Sequence, residues 1–152
     1  MLFSIWKPYF IFSSRISGPD KKHLELIKAF ELFKKQTGLP HRLILAGEES
    51  DYSETVHKAV FDSPNGTDIF ITGHFPTESL AKLYSGAEAC IFPAVNEGVG
   101  LPILESMACG IPVLCSNNGA LKEFGTDIPL YFDSNNIEEM ADCMEKVISD
   151  TK

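Results

Sequence analysis

The sequence has no C-x-x-C pair, and none of its four cysteines, Cys90, Cys109, Cys115 and Cys143, has a histidine at metal-ligand spacing. A structural zinc site needs close ligand pairs and a secreted disulfide scaffold needs denser cysteine, so both are excluded. Buried free thiols in a reducing compartment are the expectation. Positive charge is also scarce. Thirteen Lys and Arg stand against 21 Asp and Glu, a net charge of -8 that repels phosphate backbones and excludes general nucleic-acid binding. Long apolar runs are missing too. Residues 1–12 are apolar but broken by Lys7 and Pro8, with no basic leader region or small-residue cleavage site. Neither a membrane span nor a secretory signal is expected, and a cytoplasmic location is. No internal repeat or low-complexity tract is present.

What remains fits one compact domain. A chain of 152 residues with 44% apolar and 22% charged residues has the composition of a globular protein rather than a disordered one. Its charge is uneven: residues 1–42 carry a local +5, residues 43–119 carry -8 and residues 120–152 carry -5. A small basic island in an acidic chain suits a small anion better than a polyanion.

Short apolar runs alternate with amphipathic ones. Tyr9 to Ser13, Arg42 to Ala46, Ile69 to Thr72, Ala89 to Phe92, Pro112 to Cys115 and Leu130 to Phe132 read as strands. Between them, Lys21 to Gln36 places Leu26, Ala29, Phe30 and Phe33 at helical intervals, with Asp20 as the expected N-cap. Further helices are expected over Ser53 to Phe61, from a cap at Thr77 or Ser79 to Ser85, over Pro102 to Ala108, and from a cap at Asn135 or Asn136 to Ile148. Strands joined through helices rather than two-residue turns pair in parallel. The expected architecture is α/β, a Rossmann-like doubly wound parallel sheet of about six strands with helices on both faces. In such sheets ligands sit beyond the carboxyl ends of the strands, so the loops beginning at Ser14, Gly47, Gly73, Pro93 and Ser116 are the place for a site.

The informative loop is Asn96-Glu97-Gly98-Val99-Gly100-Leu101-Pro102-Ile103-Leu104-Glu105. Two glycines leave backbone N–H groups approachable at the mouth of a helix, and Pro102 fits the first turn, where its missing donor costs nothing. Free N–H groups and the helix dipole together favour a phosphate there. Glu97 and Glu105 flank this anion site. Two carboxylates beside a phosphate pocket make sense if they accept hydrogen bonds from hydroxyls of a ligand that is part sugar and part phosphate.

Residues 87–117, AEACIFPAVNEGVGLPILESMACGIPVLCSN, closely resemble the ordered pattern E-G-F-G-L-P, E-A-M-A-C-G and P-V-x-x-S-N of the group 1 glycosyltransferases, retaining nucleotide-sugar enzymes of the GT-B fold. The resemblance is to their C-terminal, donor-binding domain and runs from Pro8 through Asp133. Glu97 and Glu105 reproduce the E-x7-E spacing of retaining members. The resemblance implies one half of a GT-B fold, with residues 1–152 as the donor domain and the N-terminal acceptor domain absent. By position, Glu97 would hold donor-sugar hydroxyls, and the backbone of Gly98, Val99, Gly100 and Leu101 would approach the sugar and diphosphate. Glu105 would hold the ribose, while Arg15 and Lys21 would grip the diphosphate. Gly73 and His74 would line the base pocket, largely through backbone groups.

The resemblance implies transfer without metal or cofactor, and consistently no D-x-D motif occurs. The donor would be a UDP-, GDP- or ADP-linked sugar, and the partner an N-terminal acceptor domain or separate acceptor subunit. Such an isolated chain would bind donor but turn over poorly. The competing reading is a non-catalytic nucleotide-binding or protein-interaction remnant of such an enzyme. A phosphoacceptor signalling domain is disfavoured, because Ser13-Ser14 and Gly47-Glu48 offer no nucleophilic Asp. Lys22, Lys28, Lys34 and Lys35 are expected on a solvated helix face, and His23, His41 and His57 at the surface.

Overall fold

The computed structural model describes residues 7–94, 101–117 and 129–150. Six strands form one parallel sheet: β1 (Tyr9–Ser13), β2 (Arg42–Ala46), β3 (Ile69–Gly73), β4 (Ala89–Phe92), β5 (Val113–Ser116) and β6 (Leu130–Phe132). Their spatial order is β3-β2-β1-β4-β5-β6. This is the doubly wound order, in which the chain leaves β1 toward one edge and β4 toward the other. β1 pairs with β2 along its whole length, Tyr9 facing Arg42 through Ser13 facing Ala46, and with β4 through Phe10–Ala89 and Ile11–Cys90.

Five α-helices connect or close the described strands: α1 (His23–Thr37), α2 (Ser53–Asp62), α3 (Thr77–Ser85), α4 (Leu101–Ala108) and α5 (Ile137–Asp150). α1 packs on α2 and α5, and α3 packs on α4, so two helical groups flank the sheet. Covered faces explain the continuous apolar runs of the central strands. Phe10, Ile11, Leu43, Ile44, Cys90 and Ile91 are all fully buried, each large side chain stabilising by roughly 1.5–3 kcal/mol relative to exposure.

Several local expectations need correction. Asp20 does not cap α1. Pro19 opens a 3-10 turn over Pro19–Lys21, and Lys22, with φ 66°, breaks it before α1 starts at His23. Neither Thr77 nor Ser79 caps α3; Pro76 occupies the cap position, and its carbonyl accepts from the N–H groups of Ser79 and Leu80. β5 begins one residue later than expected, at Val113, because Pro112 has no N–H for the ladder and contributes only its carbonyl, to Cys90 N–H at 3.0 Å. Of the two cap candidates for α5, Asn136 serves: its Oδ1 accepts from Glu139 N–H at 3.0 Å.

Two histidines expected at the surface are in the core. His23 is 1% exposed against Phe12, with ring centroids 4.8 Å apart. His41 is 4% exposed, stacked on Phe10 and edge-on to Phe33, with its Nε2 3.1 Å from Glu88 Oε1. His57 is exposed and pairs with Glu49. Lys34 is no solvated lysine either. Its Nζ donates to the carbonyls of Leu39 at 2.8 Å and His41 at 2.9 Å and lies 3.2 Å from Asp68 Oδ2, completing the C-terminal end of α1. Lys22 Nζ likewise finds a partner, Asn135 Oδ1 at 2.8 Å.

Candidate active site

The sheet order places the topological switch between β1 and β4, so the crevice opens at their carboxyl ends. The segment leaving β1 is anchored to the β2 loop on both sides of Arg15. Ser14 N–H donates to Ala46 O and Ile16 N–H to Glu48 O, each at 2.9 Å, and the Ile16 side chain is fully buried. The backbone around Arg15 is therefore fixed while its side chain stays exposed. Lys21 ends the 3-10 turn just before α1, near enough for its charge to act on the buried His23. Desolvation, with that charge as the second cause, pushes the His23 imidazole down to about 4. His23 is thus neutral at physiological pH, and among the described residues its two ring nitrogens have no hydrogen-bond partner.

The next loops are knitted to the first. Gly47 N–H donates to Gly73 O at 3.2 Å, and His74 Nδ1 lies 3.5 Å from Glu48 Oε1. His74 and Glu48 are both exposed, so this pair sits at the crevice edge. Across the switch, Leu101 opens α4 and Glu105 stands one turn inside it with an exposed side chain. Its carboxylate is close enough to raise the Tyr84 phenol, which burial chiefly pushes up to about 12, against an opposing pull from the Ser13 hydroxyl. Glu97, Gly98, Val99 and Gly100 lie outside the described residues.

The described part thus presents two cations, Arg15 and Lys21, at the end of β1 and before α1, with the exposed carboxylates Glu48 on the loop after β2 and Glu105 in the first turns of α4. That is a set of groups for a phosphorylated ligand carrying hydroxyl or amide donors. Sequence reasoning passed over Glu48 as a residue of the crevice edge and Lys22 as a left-handed one. No pattern flags the first; the second is a place where glycine or asparagine is the usual choice. Among the described residues no group of three or more His, Cys, Asp or Glu is placed to hold a metal ion, and no helix is long and apolar enough to cross a membrane.

The family pattern described as "Glycosyl transferases group 1" matches residues 6–152. The chain belongs to this family of glycosyltransferases. The O-antigen chain mannosyltransferase B of Escherichia coli is 32% identical over 136 residues, covering 90% of this chain and 35% of that protein. This glycosyltransferase chain therefore spans about a third of the length of that curated relative. Among solved structures, the C-terminal domain of the group 1 glycosyl transferase LpcC from Francisella tularensis superposes with a TM-score of 0.75 at 22% identity, covering 96% of this chain and 79% of that one. Alr3699/HepE from Anabaena, solved in complex with UDP, gives a TM-score of 0.82 at 22% identity, covering 96% of this chain and 40% of that one. At these identities the likeness speaks for the fold, the Rossmann-like half of GT-B glycosyltransferases.

Proposed function

We propose that this chain is the nucleotide-sugar donor domain of a retaining, metal-independent glycosyltransferase of polysaccharide or glycoconjugate assembly. The acceptor would be held by an N-terminal domain or separate subunit. The observation that carries this reading is the exposed Arg15 at the switch point, its backbone tied down by the Ser14 and Ile16 hydrogen bonds, with Lys21 following before α1. Cations carried on an anchored backbone beside a helix N-terminus are suited to a diphosphate, above all to the charge that develops as it leaves. Glu105 on α4 would accept from the ribose hydroxyls, and Glu97 from the donor sugar. The mannosyltransferase named above favours a hexosyl donor, and the UDP held by the Anabaena protein favours a nucleoside diphosphate carrier.

In the transfer step the acceptor hydroxyl oxygen bonds to the anomeric carbon on the face that the diphosphate leaves. The C–O bond to phosphate breaks with its electron pair passing to the phosphate oxygen, which takes the acceptor's proton. Arg15 and Lys21 neutralise that oxygen's charge, and Glu97 orients the sugar. The isolated chain would bind donor and turn it over slowly. Calorimetric titration with nucleoside diphosphates and with the matching unphosphorylated nucleosides tests the reading. Arg15→Ala and Lys21→Ala should each weaken diphosphate binding about ten-fold or more, since a charged hydrogen bond contributes roughly 1.5–3 kcal/mol, while nucleoside binding stays the same. Variants that bind diphosphates as tightly as the parent would overturn it.

A further inference from the structure

Resting on the donor-site reading above, we infer that Glu48 makes the nucleobase pocket one for guanine. Glu48 follows β2 and is held by backbone bonds in two directions. Its carbonyl accepts from Ile16 N–H at 2.9 Å, next to Arg15, and its neighbour Gly47 donates to Gly73 O at 3.2 Å. The residue therefore lies between the segment proposed to grip the diphosphate and the segment proposed to line the base. Its side chain is 61% exposed, and Oε1 lies 3.5 Å from His74 Nδ1. The adjacent carboxylate, Glu49, is engaged by His57 of α2. Glu48 is thus a carboxylate of fixed backbone position, with one oxygen steered by an imidazole from the base-side loop and its side chain open to solvent.

An ionised carboxylate only accepts hydrogen bonds, and it accepts them best from two parallel donors. Among the common bases, guanine alone offers that edge: N1–H beside the N2 amino group. Uracil flanks its single N3–H with two carbonyl oxygens, so a carboxylate meeting that edge with both oxygens faces like charge. Adenine sets its N6 amino group beside the N1 acceptor and again supplies one donor.

The test is calorimetric titration of the chain with GDP, UDP and ADP, for the parent and for Glu48→Gln, with a thermal melt of each to establish folding. The expected result is GDP bound about ten-fold or more tighter than UDP and ADP, in line with the weight of charge-assisted hydrogen bonds. Glu48→Gln should lose most of that preference, because its amide NH2 opposes the guanine amino group, while UDP and ADP affinities stay as in the parent. UDP or ADP as the tightest ligand of the parent overturns the inference and leaves the donor reading standing. So does an equal loss for all three nucleotides in Glu48→Gln, which would assign Glu48 to the ribose or to the shape of the pocket. Failure of the folded parent to bind any of the three overturns the donor reading itself. Should Glu48→Gln not fold, Glu48→Asp, which withdraws the carboxylate by one methylene, must reduce the GDP preference of the parent.

Discussion

The Cβ that any substitution would add at Gly47 falls 2.2 Å from the carbonyl oxygen of Ser14, so the loops after β1 and β2 approach as closely as backbone allows. With φ at +139°, Gly47 also adopts a conformation that side chains rarely enter. The approach is what lets Ser14 and Ile16 bond to the β2 loop and so holds Arg15 in place. Gly47→Ala should therefore destabilise by about 3 kcal/mol in urea unfolding, through clash and strain together. Gly38→Ala is the control: its φ is +67° with open space around it, so only about 1 kcal/mol of left-handed backbone cost is expected. Equal losses at the two positions would show that the close approach does not exist.

Glu105 offers a cleaner test of binding than of stability. Its side chain is exposed on α4, so Glu105→Ala should leave the unfolding midpoint where it is. Loss of a carboxylate that accepts from ribose hydroxyls should nevertheless weaken nucleotide binding by about ten-fold or more. Comparing ribo- and 2′,3′-dideoxynucleotides checks the assignment. The alanine variant should no longer distinguish them, whereas the parent should favour the ribonucleotide.

His23 gives the fold an acid limit. Burial holds the folded pKa near 4 against an ordinary 6.5, so between those values the unfolded chain binds the proton and the folded protein does not. Stability from this group is complete above about 6.5 and is lost as pH falls toward 4, by roughly 3 kcal/mol at most. His23→Leu, similar in size and unable to titrate, should flatten the curve of melting temperature against pH over that interval. An unchanged slope in the variant would remove His23 as its cause.

The thiols should divide into accessible and silent classes. Burial pushes Cys90 and Cys115 up to about 12, and Cys143, half-buried, up to about 11. Because the thiolate is the reactive form, a disulfide reagent at pH 8 should leave Cys90 and Cys115 unmodified until the chain unfolds. Cys109 is only half-buried and should react first, with Cys143 slower. Peptide mapping of partially labelled protein reads the order directly; early labelling of Cys90 or Cys115 would contradict the burial seen here.

Much of the architecture was legible in the chain. The expected β1, β2, β4 and β6 coincide with the observed strands, because strands of a parallel sheet covered by helices read as short, near-continuous apolar runs, as RLILA and ACIF do. The family likewise followed from an ordered motif in residues 87–117, a local property of sequence. The misjudged side chains depend on partners far away in the chain. His23 and His41 look like ordinary surface histidines until β1 brings Phe12 and Phe10 against them. Lys34 looks solvated until its carbonyl and Asp68 partners close around it.

Sequence by itself determined the order of strands and helices, the membership of a glycosyltransferase family and the types of residue available to a site. Those follow from hydrophobic periodicity and from short motifs, which need no knowledge of where distant segments lie. Tertiary structure alone decided that the backbone on both sides of Arg15 is tied to the end of β2, that Glu48 meets His74 at the crevice edge, and that Lys22 crosses to Asn135, 113 residues away. The physical reason is range: a backbone period repeats within a few residues, whereas burial, desolvation and hydrogen bonding act between groups that only the folded sheet brings within a few ångströms.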